Sequence, residues 1–218
     1  MPYAPDHKQQ TRKRIVRSAA HLFNRRGFAE VTIGEVMTVA GLTHGGFYRH
    51  FSSKDELYAE AVRHFLRKEA PARWQKRPAG ARKPDQPFAK SVVDAYLSHE
   101  HFEDIDGSCP LIGLSSDVAH SSEAVKAAYR EVAESMIQVF QANLNLKGRA
   151  AREQAMVLVA LCVGGMVVAR ALDDQVLAHD FLGTAHKHAL KTTGWERAEV
   201  NRLSRMKKAN RSTYPVQL

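Results

Sequence analysis

Three groups of residues in this 218-residue chain have types and spacing that could do chemistry. The first is His99 and His101, set among Glu100, Glu103, Asp104 and Asp106, all metal-ligand types. On a helix, residues two apart face away from each other, so these histidines do not converge without a break. His186 and His188 repeat the difficulty. The second is Cys109, just before Pro110 at an expected helix start, where the helix N-terminus favours a thiolate. It reads either as a sensing thiol or as a small buried filler, whereas Cys162, inside an apolar helix, reads as core. Ser115 and Ser116 stand near no base visible in the sequence. No catalytic set, metal site or cofactor is expected, and the chain does not read as an enzyme. The third group is the run THGGFYRHF from Thr43 to Phe51, whose small, aromatic and basic side chains form no apolar stripe. Hydrogen bonds to phosphates and base edges are the chemistry that such a run offers.

The elements that must hold this run are legible around it. Thr32 is a good N-cap, and Glu35 three residues on completes a capping box. Ile33, Val36, Met37 and Ala40 then share one helical face. Gly41 breaks the helix at a residue free to take a positive φ, Leu42 plugs the turn, and Thr43 caps a second helix from about His44 to Phe51. A helix–turn–helix of this kind offers its second helix, with Gly45 and Arg49 on it, to the DNA major groove. Upstream, Gln9 to Arg26 reads as an amphipathic helix with Ile15, Ala19, Leu22 and Phe23 inward, ended by Gly27. Downstream, Ser52 or Ser53 caps a further helix with Leu57, Tyr58, Ala61, Val62 and Phe65 as its stripe.

Charge is distributed unevenly along the chain. Residues 1–68 carry 12 Lys/Arg against 6 Asp/Glu, and residues 69–90 carry 6 against 2. Residues 91–190 carry 7 against 13, and residues 191–218 carry 7 against 2. The overall +9 therefore lies on the helix–turn–helix segment and the two flanking stretches, not on the acidic middle. A phosphate-binding module joined to a non-binding body has this footprint.

Residues 70–87 contain Pro71, Pro78, Pro84 and Pro87 and read as a basic linker. From Phe88 the chain turns helical again: Phe88 to His101, a short helix from Pro110 to about Ala119, and a longer one after Ser121 or Ser122 to about Leu146. Arg149 to Leu172 is apolar almost all round and is expected to be buried on more than one side, and His179 to Leu190 closes the body. The tail 195–218 has no clear stripe and reads as poorly ordered. No strand pattern is found, so the expected fold is all-α: a domain at 9–69 with its helix–turn–helix at 32–51, the linker, and a larger helical domain at 88–194. The longest apolar run, Met156 to Ala169, is short for a membrane span and carries Gly164 and Gly165. The basic N-terminus has no secretory character, and two cysteines make no disulfide framework, so a reducing cytoplasm without membrane contact is expected.

Over 9–69 the sequence resembles the TetR family of bacterial transcriptional regulators. The resemblance rests on LFNRRGF at the end of the first helix, Thr32-Ile33, the turn Ala40-Gly41-Leu42-Thr43, then Gly45, Phe47-Tyr48, His50-Phe51, Lys54 and Leu57. Met37 departs from the small residue usual before the turn. The resemblance implies a homodimer on a palindromic double-stranded DNA operator, commonly a repressor released by a small molecule bound in the C-terminal domain. It assigns Thr32, Thr43, Tyr48, His50 and Lys54 to phosphates, and His44, Gly46 and Phe47 to the face turned towards base edges. One of Phe47 and Tyr48 is expected to face inward, with Tyr48 favoured as the phosphate contact. Candidates for the effector pocket are Tyr96, Phe102, Cys109, Leu111, Leu114, Tyr129, Met136 and Met166. Dimerisation is expected through the last two helices, where Ala160, Gly164, Gly165 and Ala169 allow close approach. The competing reading is an architectural protein that binds DNA without sequence preference or ligand control.

Overall fold

The structure, a computed structural model, describes residues 5–69 and 88–195. The linker 70–87 and the tail beyond Trp195 lie outside the described residues. Every element among the described residues is helical. In order they are α1 (Pro5–Glu30), α2 (Ile33–Val39), α3 (His44–Arg49, wound as a 3₁₀ helix) and α4 (Lys54–His64), which runs on as a π turn over Phe65–Glu69. The body comprises α5 (Phe88–Tyr96), α6 (His99–Glu103), α7 (Pro110–Gly113), α8 (Ser115–Ala119), α9 (Glu123–Gln141), α10 (Gly148–Ala171) and α11 (Gln175–Thr193).

The N-terminal unit is built from short-range signals. The α1 backbone kinks at Gly27, with φ 77° and ψ 174°, which turns Phe28 back over α4. Phe28 stacks on Tyr58 at 4.5 Å between ring centroids, and Phe23 meets Tyr58 edge-on at 4.9 Å. Thr32 and Glu35 form the full capping box, a feature worth about 1 kcal/mol to a helix. Gly41 takes φ 65°, and the guanidinium of Arg14 donates from Nε to the Ala40 carbonyl at 3.0 Å, so α1 holds the turn. Ile15, Ala19, Phe23, Val36, Met37, Phe47, Phe51 and Leu57 fill the small core.

α9, α10 and α11 pack side by side to form the body, and α4 lies along α9 to join the two parts. Arg63 on α4 makes a bidentate pair with Glu131 on α9, with Nη2–Oε1 and Nε–Oε2 both 2.9 Å. Arg170 on α10 gathers the 101–108 loop, donating to the carbonyls of Phe102 and Asp104 at 3.1 Å and to the Ser108 hydroxyl at 2.6 Å. A second join runs from α1 into the loop before α7. Asn24 donates through Nδ2 to the carbonyls of Asp106 at 2.9 Å and Ser108 at 3.0 Å, and Arg25 pairs with Asp106. The Phe28 N–H donates to the Asp117 carboxylate on α8 at 2.7 Å.

Several expected boundaries move. The helix expected over Phe88–His101 is two, because the chain breaks at Leu97 and restarts on Ser98, whose hydroxyl caps the His101 N–H. The segment Pro110–Ala119 also divides, at Leu114, which sits at φ −120° and ψ 3°. α9 stops at Gln141, five residues short of the expected Leu146. Trp195, assigned to the tail, is buried against the core. α10 corrects two expectations together. It is 24 residues long with an 18-residue window of mean hydropathy 1.8, so length and composition alone would let it cross a membrane. It is also buried on one side only: Ala155, Leu158, Cys162, Met166 and Ala169 face the body, whereas Met156, Val157, Val167 and Val168 are exposed. Its all-round apolar character therefore comes from a second, uncovered apolar face.

Candidate functional site

The capped turn and α3 present a compact outward surface. Thr43, His44, Gly45, Tyr48 and Arg49 are all exposed, while Phe47 and Phe51 point into the core and stack at 5.7 Å. Tyr48 is 65 % exposed and Phe47 is 0 %. The assignment of Phe47 to base edges is thereby corrected, since a side chain that closes the core under α3 has no reach into a groove. The 3₁₀ winding is the cause. Three residues per turn put Phe47 over the Met37 side of the core and swing Tyr48 outward, edge-on to Phe47 at 5.2 Å. Gly46 is half-buried, and a Cβ there would lie 3.5 Å from the Met37 methyl, whereas at Gly45 it would meet open space.

The flanking residues divide between support and surface. The Thr32 hydroxyl accepts from the Glu35 N–H at 3.2 Å and donates to the Glu35 carboxylate at 2.8 Å. Glu35 also accepts from Arg26 at 2.7 Å, and Arg26 and the Thr32 groups pull its pKa down to about 2. Thr43 stands at the N-cap of α3, but its hydroxyl makes no cap bond. Lys54 turns inward: its ammonium donates to the Phe28 carbonyl at 2.5 Å and sits over the Phe28 ring at 4.2 Å. Burial pushes its pKa down despite the acids nearby. His50 is half-buried, and burial, followed by Lys8, Arg12 and Arg49, lowers its pKa. Arg12 donates to the His50 carbonyl, pairs with Glu56 at 3.1 Å and stacks 3.9 Å over Phe51. Arg12 and Lys54 are thus fastenings of the reading head, and the sequence signal for that lay in the aromatic residues at 28 and 51.

The comparisons with known proteins fall on this unit. Residues 15–61 match the profile of the bacterial regulatory proteins of the tetR family. Residues 15–61 thus form a TetR-type helix–turn–helix unit. The TetR-type unit is 38 % identical over 56 residues to YdgC, an uncharacterised transcriptional regulator of Bacillus subtilis, covering 26 % of this chain and 29 % of that protein. It is 38 % identical over 52 residues to the transcriptional regulator AcrR of Shigella flexneri, covering 24 % of each. The matched stretch spans under a third of the length of these curated relatives. The fold extends further. A TetR transcriptional regulator from Chloroflexus aurantiacus superposes with a TM-score of 0.68 at 22 % identity, over 85 % of this chain and 95 % of that one.

Behind the TetR-type unit, the body contains a small, partly open cleft of about 30 Å³ under the C-terminal end of α4. Phe65, Leu66, Ala95, Val132 and Met136 give it apolar walls, and Tyr96, His101, Cys109 and Ser135 add polar groups. Of the expected pocket residues, Tyr96, Cys109 and Met136 meet there. Phe102, Leu111, Tyr129 and Met166 do not line it; the breaks at Leu97 and Leu114 re-aim α6 and α7, which carry the first two. Leu114 instead borders a separate cleft between α1, α4 and the 106–110 loop. Tyr129 is tied to Ser115, hydroxyl to hydroxyl at 2.7 Å. Cys109 is buried at the N-cap of α7 without a cap bond, and Cys162 is buried in α10 with its pKa pushed well above the thiol range by burial.

The two histidines that opened the metal question part as their spacing requires. His101 is buried with Nδ1 2.7 Å from the Tyr96 carbonyl, and His99 is exposed against His179 on α11 at 3.2 Å. Among the described residues, no three His, Cys, Asp or Glu side chains converge on a metal position.

Proposed function

We propose that this protein is a homodimeric, sequence-specific DNA-binding transcriptional regulator, acting as a repressor that a small molecule releases from a palindromic operator. The observation that carries the reading is the outward face of α3 and its turn. Thr43, His44, Gly45, Tyr48 and Arg49 are exposed together on a segment locked from beneath by Phe47, Phe51 and Arg12. A rigid, neutral-to-basic surface of that size suits a major groove, with Thr43 and Tyr48 hydroxyls on phosphates and His44 the side chain for base edges. Thr32 hydroxyl is already engaged by Glu35, so its contribution is the order of the α2 N-terminus. Lys54 acts by holding the Phe28 carbonyl rather than as a free charge, and at His50 it is the backbone carbonyl that Arg12 engages.

The uncovered face of α10 and α11 supports the dimer. Met156, Val157, Val167 and Val168 on α10 lie exposed, as do Val176, Leu177 and Phe181 on α11, and Gly164 presents no Cβ between them. Two copies joined through these helices form an isologous four-helix seam, which sets two reading heads on one duplex. A regulator of this kind works in the cytoplasm, on the chromosome. The cavity behind α4 is the effector site in this reading, since α7 lies between it and the α1 junction. Selection of bound sequences from a random DNA pool tests the assignment. Wild-type protein is expected to enrich one palindrome, and His44→Ala to shift the preferred bases. Identical enrichment by both proteins refutes base readout by His44, and no enrichment at all favours architectural binding.

A further inference from the structure

Spacing along the chain sets His99 beside His101, but folding pairs it with a residue 80 positions away. His99 at the start of α6 and His179 in the second turn of α11 stand with Nδ1 and Nε2 3.2 Å apart. The tautomer of His179 follows from its other nitrogen. Nδ1 lies 2.6 Å from the Gln175 carbonyl, an oxygen that can only accept. In the neutral ring Nδ1 therefore carries the proton and Nε2 keeps its lone pair. A backbone carbonyl holding the far nitrogen is the arrangement by which proteins orient a metal-binding imidazole. Phe102 backs both rings, 5.7 Å from His179 and 6.3 Å from His99 between centroids, and limits how far either swings. Both histidines are exposed, so an ion reaches them from solvent.

The separation of the two nitrogens is that of two ligands on one ion. With metal–nitrogen bonds of about 2.05 Å, neighbouring ligands lie about 2.9 Å apart at right angles and about 3.3 Å apart at the tetrahedral angle. The observed 3.2 Å falls between these values. A hydrogen bond from the His99 Nδ1–H to His179 spans the same distance, and moving that proton through water to His99 Nε2 frees both lone pairs for an ion. We propose that His99 and His179 form a two-imidazole clip for a divalent transition-metal ion of the zinc, nickel or copper class. Neutral imidazoles select these ions over magnesium and calcium, which take oxygen ligands. Among the described residues no third His, Cys, Asp or Glu joins the pair, so water fills the other positions and the ion exchanges with solvent. The site does not depend on the regulator reading. It ties α11 to α6, which leads into the loop that Arg170 of α10 holds by the Phe102 carbonyl and the Ser108 hydroxyl.

The test uses the full chain without a histidine tag. Copper(II) is added at one equivalent, and its nitrogen couplings are read by pulsed electron paramagnetic resonance. Wild-type protein should show two imidazoles on the ion, and His99→Gln and His179→Gln should each show one. Calorimetric titration with zinc should fit one ion per chain. Each variant should weaken zinc by at least about tenfold, the loss that removing even an indirect support of a metal ligand brings. His120→Gln, which changes an exposed histidine outside the clip, should match wild type. Zinc should also raise the melting temperature of wild type and leave that of the double variant unmoved. Both side chains are exposed, so the variants should keep the wild-type circular dichroism; the copper spectrum of wild type decides the matter without them. Copper held by fewer than two imidazoles, zinc affinity unchanged in either variant, a melting shift that survives in the double variant, or no zinc binding at millimolar concentration would each overturn the proposal.

Discussion

Replacing Gly27 by Ala, alone and together with Asp117→Ala, probes the junction between the reading head and the body. Gly27 takes φ 77° and ψ 174°, a region almost reserved for glycine, and Ala there costs about 1–3 kcal/mol in the backbone. The added Cβ would also stand 2.8 Å from the Asp117 carboxylate oxygen that accepts the Phe28 N–H. That carboxylate must move, and losing its hydrogen bond adds about 1 kcal/mol. The single variant should therefore lose about 3 kcal/mol, a fall in melting temperature of roughly 6–12 °C for a chain of this size. Asp117→Ala alone removes only the hydrogen bond, about 1 kcal/mol. In the double variant the clash is gone and the bond is already lost, so its cost should fall short of the sum by about 1 kcal/mol. Denaturant unfolding followed by circular dichroism measures all three. Strict additivity, or a Gly27→Ala variant within about 0.5 kcal/mol of wild type, would refute the contact as the hinge of this junction.

Three further outcomes are expected. Phe47→Ala should destabilise the protein by about 3–5 kcal/mol, because the ring is a fully buried core member, whereas Tyr48→Ala should leave the melting temperature nearly unchanged and weaken binding to all DNA sequences alike; a stable Phe47→Ala protein with altered sequence preference would reverse the two roles. Glu35 has a pKa lowered to about 2 by Arg26 and the Thr32 cap, so its contribution is present above the unfolded carboxylate value near ~4.3 and is lost as pH falls towards 2. The melting-temperature gap between wild type and Glu35→Gln should accordingly narrow between neutral pH and pH 2.5, and a gap independent of pH would contradict the assignment. Val168→Glu places a charge on the uncovered face of α10 and should give a monomer by sedimentation velocity with helicity unchanged, whereas a dimer that persists would move the interface elsewhere.

The reading head was legible in the sequence because its determinants are local. A capping box, a glycine at positive φ and a run of residues around it need only short-range chemistry. What sequence spacing misjudged is the winding of α3. Counting on 3.6 residues per turn leaves Phe47 and Tyr48 undecided, and the 3₁₀ turn resolves them in opposite directions. Lys54, expected at a phosphate, is instead turned over the Phe28 ring, and Arg12 is likewise laid over Phe51, contacts that only folding creates. In the body, the cavity combines the far end of α4 with α5, α6, α7 and α9, and such convergence leaves no periodic trace. Tyr96, Cys109 and Met136 could be picked as inward-facing residues near a loop. Phe65, His101 and Ser135 could not, because the π turn after α4 and the break at Leu97 decide where those side chains point. α10 shows the limit of a hydrophobicity argument. Apolar residues all round a helix state that two faces avoid water, and only the packed structure tells which of them the chain itself covers.

The central claim is that two copies read a palindrome through α3. Fluorescence anisotropy at 150 mM salt, comparing the selected palindrome with one half-site and with a scrambled duplex of equal composition, tests it most directly. The palindrome should bind at least about 10³-fold more tightly than the scrambled duplex, with the half-site between them. Equal affinities for all three, falling together as salt rises, would contradict the account.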